Sequence, residues 1–569
     1  MGGWRLPTLA VWGLLAAAPG ALAQAVGGLP PGALAPLTSP VPRVLPQEQP
    51  EIVMPAAPPS QPGPPPTGAP VRVDRVVVEG ATVYDEASLR ASFADAVGRD
   101  VPRARLDAIV QALQTRYRED GYILTLVRGE FRRQANQVIF VVSVIEGYIN
   151  QVKLDGDIGP AGTLVYKMLD HLTAKRPTNN ADLERYLLLA NDVPGVTVTA
   201  VLHHESDKPG AVTLIAQVAR KPVSGLLNYD NRGSTEAGPS EMLLSGATNS
   251  FTSLGERVEA LLFTTFNREQ IFGQVNGDAF LGDDGIKARW YFGDGNNQPG
   301  GILAATGFNG DLMIGGGALS YPIVRSRRFN WRIETDLDTY QSTITLAAGG
   351  ASTQSGSHLL MTRLGNSFDF QDAFVGDLPA ASVLNIKFSG GLAGTSNLRP
   401  LNQVHFQKVS GDLTRVQDLF TFDDVRTALK LSVGGQYSKD ILPPSEKFFL
   451  GGIQFGRGFF NGEVTGDRAI GSTVELQENA SFTDLPLVGS SYKLSTQFYQ
   501  FWDYGRGYNL APSDISTTIN SAGLGVRSDL TPWLFWEVEG VHRLTVHPQG
   551  ADVSPEARYA VFTRVTMHY

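Results

Sequence analysis

The chain has 569 residues, 62 of them glycine and none cysteine, and a net charge of −9 from 47 basic and 56 acidic side chains. That length calls for about two to four domains, and the near balance of charge argues against nucleic acid as a main partner. The missing cysteine removes thiol catalysis, disulfides and zinc–thiolate sites, and suits folding in an oxidising compartment. A mean hydropathy of −0.08 is too low for a bundle of membrane helices.

In chain order, residues 1–23 read as a signal peptide: Arg5 gives the positive start, Leu9–Leu22 is apolar, and Ala21-Leu22-Ala23 is an A-x-A site before Gln24. Residues 24–70 read as an extended, mobile linker, because Pro30–Pro70 holds 15 of the 35 prolines and almost no charge. That stretch has no helical periodicity, so no plug helix is predicted in it.

Residues 71–148 read as a first α+β module. A β-rich run, Val73–Glu79, ends at Gly80; a helix covers Asp85–Val97; Pro102 opens a second helix with Leu106, Ile109, Val110, Leu113 and Tyr117 on one face; strands follow at Ile123–Phe131 and Val138–Ile145. Residues 149–222 repeat the order: strand Ile149–Leu154, helices Ala161–Leu172 and Asn180–Asn191, strands Val196–His203 and Val212–Val218. A repeated unit means modules in series rather than one enzyme core. His203 and His204 are adjacent on a strand and point to opposite faces, which makes them a poor metal pair.

Residues 223–569 change texture, with short alternating runs separated by Gly, Asn, Asp and Ser turns. Phe329–Asp338 is the cleanest: Phe, Trp, Ile, Thr and Leu alternate with Asn330, Arg332, Glu334, Asp336 and Asp338. Together with the signal peptide, the length and the aromatic band (Trp533, Phe535 and Trp536 near one strand end), this predicts an outer-membrane antiparallel β-barrel of about 16 strands. The last strand carries Tyr559, Val561, Val565, Met567 and Tyr569 on one face and Arg558, Arg564 and His568 on the other, the pattern of a C-terminal insertion signal.

At this point the residues resemble the two-partner secretion outer-membrane transporters of haemolysin and filamentous-haemagglutinin type, whose polypeptide-transport-associated (POTRA) modules precede a 16-stranded barrel. The first module is similar in Val78-Glu79-Gly80, in Tyr117 with Gly121-Tyr122, and in Glu146-Gly147; the second in Leu183–Val196; the first barrel strand in Tyr229-Asp230-Asn231-Arg232-Gly233-Ser234. Gly456-Arg457-Gly458-Phe459, followed by Gly466-Asp467 and Glu475, resembles the family's inward loop motif, V/I-R-G-Y/F, with Gly456 departing from the aliphatic position and Phe455 just before it. Phe501-Trp502-Asp503-Tyr504-Gly505 resembles the strand whose acidic residue meets the loop arginine. A loop folded into a watery lumen needs a tether, and guanidinium with carboxylate gives bidentate geometry that lysine cannot copy.

The resemblance implies a transporter that captures an unfolded exoprotein, adhesin or haemolysin-like, in the periplasm and secretes it through the barrel, with activation as a variant. The partners implied are that client, outer-membrane lipid, periplasmic chaperones and the barrel-assembly machinery, without nucleic acid. Sheet edges of the modules would accept the client by strand addition. The alternative is a barrel-assembly or insertion factor of the same superfamily; a diffusion porin would lack the modules. Neither a nucleophile elbow nor a metal-ligand cluster is readable, so no enzyme, cofactor or metal is expected. Asp283-Asp284 and Asp423-Asp424 read as solvated turns.

Overall fold

The computed structural model describes residues 52–53, 70–134, 137–233, 238–300, 304, 307–348, 351–397, 404–482, 494–512, 514–548 and 555–569. The predicted signal peptide, most of the linker with its plug question, and Ser234 lie outside these residues. No helix among the described residues is long and apolar enough to cross a membrane.

The first module comprises β2 (Val71–Val73), β3 (Arg75–Glu79), α1 (Glu86–Ala91), β4 (Arg99–Val101), α2 (Arg103–Glu119), β5 (Leu126–Gln134) and β6 (Gln137–Ile145), after a short β1 (Ile52–Val53) in the linker. The sheet runs β3-β6-β5, with β3 parallel to β6, and β2 pairs separately with β4. Its core joins Leu106, Ile109, Leu113 and Tyr117 of α2 to Phe140, Val142 and Val144 of β6. Three expectations need correction. The run Val73–Glu79 is broken between β2 and β3, and its first part pairs with β4 instead of the main sheet. The first helix stops at Ala91, six residues early, and continues as turns that still bury Phe93 and Ala96 in the same core as Leu89. The strand expected at Ile123–Phe131 starts at Leu126, after Tyr122 N–H has bonded back to the Tyr117 carbonyl at 2.7 Å.

The second unit holds β7 (Tyr148–Asp155), α3 (Ala161–Asp170) with a 3-10 turn at His171–Thr173, α4 (Asn180–Asn191), β8 (Val196–His204) and β9 (Ala211–Arg220). Its sheet is β1-β8-β9-β7. Thus the linker is not wholly unstructured: Ile52 and Val53 pair in parallel with Ala200 and Val201. The two apolar residues lie between Pro50 and Pro55 in the sequence, and proline's restricted backbone lowers the entropy that a neighbouring segment loses on joining a sheet edge.

The barrel is closed by 16 antiparallel strands. In order they are β10 (Val223–Asp230), β11 (Glu241–Asn249), β12 (Arg257–Thr265), β13 (Gln270–Phe280), β14 (Lys287–Asn297), β15 (Asn309–Arg325), β16 (Phe329–Ala348), β17 (Ala351–Asp372), β18 (Ala380–Ser396), β19 (Gln407–Phe422) and β20 (Val425–Ser438). After a long loop containing β21 (Phe448–Leu450) and β22 (Val464–Gly466) come β23 (Arg468–Phe482), β24 (Leu494–Tyr508), β25 (Thr517–Thr531), β26 (Leu534–Arg543) and β27 (Tyr559–His568). Alternation decides which face each residue takes: on β16 Leu337 is 52% exposed outward, while its neighbours Asp336 and Asp338 are 7% and 6% exposed and point inward. On β27 Tyr559 and Val561 face out and Arg564 is buried in the lumen. The seam between first and last strands pairs Leu226–Asp230 with Arg564–His568.

Candidate functional site: the lumenal loop and its anchors

Strands alternate in direction, so the loop after the eleventh strand, β20, opens on the side away from the N-terminal modules. It folds back into the lumen and lies on a bed of glycines. Gly434, Gly471 and Gly505 stand side by side on β20, β23 and β24. A Cβ at Gly434 or Gly471 would lie 2.6 or 2.7 Å from the Phe455 ring, and one at Gly505 3.1 Å from Leu450. Phe455, Phe459, Leu450, Val464 and Ile519 form the apolar cluster that seats the loop.

At the loop tip Gly456 has φ +90°, and a Cβ there would meet Ile519 at 2.4 Å. The aliphatic residue usual at this place is therefore excluded by backbone conformation and space, and Phe455 supplies the apolar packing. Arg457, 4% exposed, lies between two carboxylates with no exposure. Its Nε and Nη2 donate to Oδ2 and Oδ1 of Asp503 at 3.1 Å each, and its main-chain N–H donates to Oδ2 at 2.7 Å. Nη1 donates to Glu475 Oε2, and the guanidinium sits 3.7 Å over the Phe501 ring. Glu475 is on the wall strand β23, not in the loop, which corrects its place in the sequence motif. Its second oxygen accepts from Arg527 at 2.8 Å.

The network spreads around the wall. Arg232 donates to the Arg457 carbonyl and to Glu539, both at 2.7 Å. Arg564 and Tyr499 donate to Glu537 at 2.6 and 2.9 Å. Arg232, Arg457, Arg527 and Arg564 thus face Glu475, Asp503, Glu537 and Glu539, all buried, while buried Asp230 accepts from the Arg232 main-chain N–H and buried Arg543 donates to the Gly458 carbonyl. Opposite charges in contact offset part of the cost of burying each. The strand motif Tyr229–Gly233 acquires its meaning here: Arg232 enters the network, and Asn231 bridges the seam through the Val561 carbonyl at 3.0 Å and Thr563 N–H at 2.7 Å.

A second anchor, not foreseen from sequence, holds the loop base to another part of the wall. Glu446, 2% exposed, accepts from Arg363 Nη2 of β17 at 2.7 Å and pairs with Lys408 Nζ of β19 at 2.9 Å. Lys408 and Gln436 also donate to the Glu446 carbonyl. Asp467 closes the loop neck, accepting from Leu442 N–H at 2.9 Å and Leu510 N–H at 2.7 Å. Gly466 lies in β22, where a Cβ would stand 2.9 Å from the Tyr508 backbone nitrogen.

The Leu183–Val196 motif fastens the second unit to the barrel. Asn191 receives Val198 N–H and donates to the carbonyls of Leu187 and Val198, setting the corner from α4 to β8. Asp192 takes a bidentate pair from Arg325 at 2.8 Å, and its carbonyl accepts from Lys287. Phe280 of β13 inserts into the core of the unit. In the first module Glu146 accepts from Thr82 N–H and hydroxyl, Val83 N–H and Tyr117 OH. Burial would raise the Glu146 carboxyl, yet these four donors hold it below the usual range; burial and Glu146 together push the Tyr117 phenol up.

The family profile of the ShlB-type POTRA domain matches residues 71–147, and that of the Omp85 superfamily domain matches residues 382–532. No curated protein matches the chain by sequence. Among solved structures, CdiB from Escherichia coli is similar with a TM-score of 0.70 over 90% of this chain and 92% of that one, at 18% identity. CdiB from Acinetobacter baumannii is similar with a TM-score of 0.62 over 88% and 90%, also at 18% identity. Residues 71–147 thus carry an ShlB-type POTRA domain and residues 382–532 an Omp85 superfamily domain, in a chain whose closed 16-stranded barrel and N-terminal units have the fold of the CdiB structures.

Proposed function

We propose that the protein captures an unfolded exoprotein at its periplasmic modules and secretes it through the barrel, the second α+β unit acting as a further POTRA module that hands the client to the lumen. The observation that carries this reading is the junction at Asp192–Arg325, which fixes the second unit at the periplasmic mouth. Beyond the mouth, Arg289, Glu334 and Asp336 offer a charged lumenal path. Arg457 and Asp503 tether the loop that occupies this path, and secretion requires its tip both to leave and to seat again in the same place. The client is an extended chain of adhesin or haemolysin type; periplasmic chaperones keep it unfolded, and barrel-assembly machinery inserts the transporter itself.

Co-expression with a large, repetitive, signal-bearing exoprotein, sought among the neighbouring genes, tests this. Full-length protein should place client in the medium, and deletion of residues 149–221 should stop export while the barrel still inserts. Normal export by the truncated form would overturn the assignment. The second reading, an insertion factor, draws on the short seam of five pairs between β10 and β27. It predicts that loss of the protein depletes other outer-membrane barrels and leaves the exoprotein's export unchanged.

A further inference from the structure

One cluster at the junction serves neither the loop nor the docking contacts. His171 opens the 3-10 turn after α3, and Asp283 and Asp284 occupy the periplasmic turn between β13 and β14. His171 Nε2 lies 3.4 Å from Asp283 Oδ1 and 3.8 Å from Asp284 Oδ1, and one ligand atom from each residue falls within 4.8 Å of the others. Nε2 is buried without a hydrogen-bond partner. The imidazole lies flat on Tyr186, with centroids 4.8 Å apart and planes 5° apart, so its direction is set.

The turn is equally fixed. Gly282 and Gly285 take φ +92° and +94°, and Leu281 N–H bonds to the Ile286 carbonyl at 2.9 Å. A Cβ on Gly285 would meet Leu189 of α4 at 2.8 Å and Pro322 at 3.0 Å, so the turn is pressed between the module and strand β15. Adjacent side chains on a strand would point apart; this turn brings both carboxylates to the same imidazole. The nearby cation Lys175 is taken by Asp182 at 2.6 Å.

We propose that His171, Asp283 and Asp284 bind a divalent first-row ion such as Zn2+, which clips the second α+β unit to the barrel. Donors ~2.0–2.2 Å from a tetrahedral ion stand about 3.3–3.6 Å apart, close to the separations on His171, and the exposed Asp284 side chain turns inward to bring the two carboxylates within that range. One imidazole with two carboxylates suits Zn2+ or Mn2+ better than Ca2+ or Mg2+, which take all-oxygen shells. Water completes the shell on the open side at Asp284. The clip is independent of whether the barrel secretes a client.

Calorimetric titration of Zn2+ into chelator-treated full-length protein in detergent tests it. One saturable site per chain is expected, weakened in His171→Gln and in Asp283→Asn by at least the roughly 10- to 100-fold that loss of an outer-shell partner alone costs. A His203→Gln/His204→Gln variant controls for the exposed histidine pair and should bind like the parent. Zn2+ should also slow hydrogen exchange across residues 281–286 in the parent and not in His171→Gln. No saturable binding, or the same isotherm from His171→Gln, would overturn the site.

Discussion

Arg457→Ala should release the loop tip, and more completely than removal of either acidic partner. Without Arg457, Asp503 keeps only the main-chain N–H of position 457 as a donor in the network and loses its ion-pair partner. Glu475 keeps Arg527 and Gln477. Breaking a buried pair in this way costs about 3–5 kcal/mol, or about two to four powers of ten in the seated-to-released ratio. Asp503→Ala is milder, because Arg457 retains Glu475; Glu475→Ala is milder too, because Arg457 retains Asp503 and Arg527 stays 3.7 Å from Glu537. Glu475→Ala removes one hydrogen bond from Arg457 and should cost about 1.5–3 kcal/mol, the range for a hydrogen bond to a charged group; Asp503→Ala removes three and should fall between that and Arg457→Ala. Since the residues act as a unit, the Arg457→Ala/Asp503→Ala double variant should add little to Arg457→Ala.

The chain has no cysteine, so one introduced thiol reports cleanly. Ser521→Cys is nearly isosteric and sits, fully buried, beneath Gly458, whose N–H reaches the serine hydroxyl at 3.3 Å. A water-soluble maleimide should label it slowly in the parent, faster in Asp503→Ala or Glu475→Ala, and fastest in Arg457→Ala. Secretion at matched barrel levels should fall in the same order. If Arg457→Ala leaves the thiol as protected as in the parent, or Asp503→Ala exposes it just as fully, the arginine-centred tether is refuted.

Other outcomes follow from the same structure. Glu446→Gln should speed hydrogen exchange over residues 440–450 by removing the carboxylate shared by Arg363 and Lys408, while Ser521→Cys stays protected; exposure of both would mean that base and tip move as one piece. Gly471→Val should displace Phe455 and raise Ser521→Cys labelling without loss of the folded, heat-modifiable barrel, and unchanged labelling would count against the glycine bed. Because its donors hold the Glu146 carboxyl below the usual range, the stability it contributes is complete at neutral pH and is lost as pH falls below ~4.3 towards the folded value. Hydrogen exchange over residues 71–147 should therefore rise on acidification in the parent, with a flatter profile in Glu146→Gln.

The barrel was legible because its code is binary and local. On β16 each inward Asp or Glu alternates with an outward Phe, Trp, Ile or Leu, and a one-residue slip would put every charge in lipid. The modules were legible where a helix repeats an apolar stripe, as in α2, and less so at Val71–Glu79, where β propensity cannot tell one strand from two with different partners. Ile52–Val53 was missed for a related reason: two residues carry no period, and their pairing depends on an edge some 150 residues away.

The site divides along the same line. Arg457 and Asp503 could be paired on paper because glycines flank the arginine and aromatics flank the aspartate, a local signature for a tight approach to a wall. Glu446 has no such signature; it precedes Lys447 and follows two prolines and a serine, the sequence of an ordinary exposed turn. Its burial follows only once the loop is inside the lumen and Arg363 and Lys408, some 40 to 80 residues earlier in the chain, face it. Glu537, Glu539 and Arg564 carried a weaker trace, since inward parity on aromatic-bearing strands places a charge in the lumen without saying whether water or an opposite charge meets it. The ion pairs of Glu537 with Arg564 and of Glu539 with Arg232 answer that. An unpaired lumenal arginine stays hydrated in an open pore, whereas Arg457, buried between Glu475 and Asp503, pairs with the wall only while the loop is seated. The seated loop and the charged wall therefore stabilise each other, and a passage wide enough for a polypeptide must let water reach both.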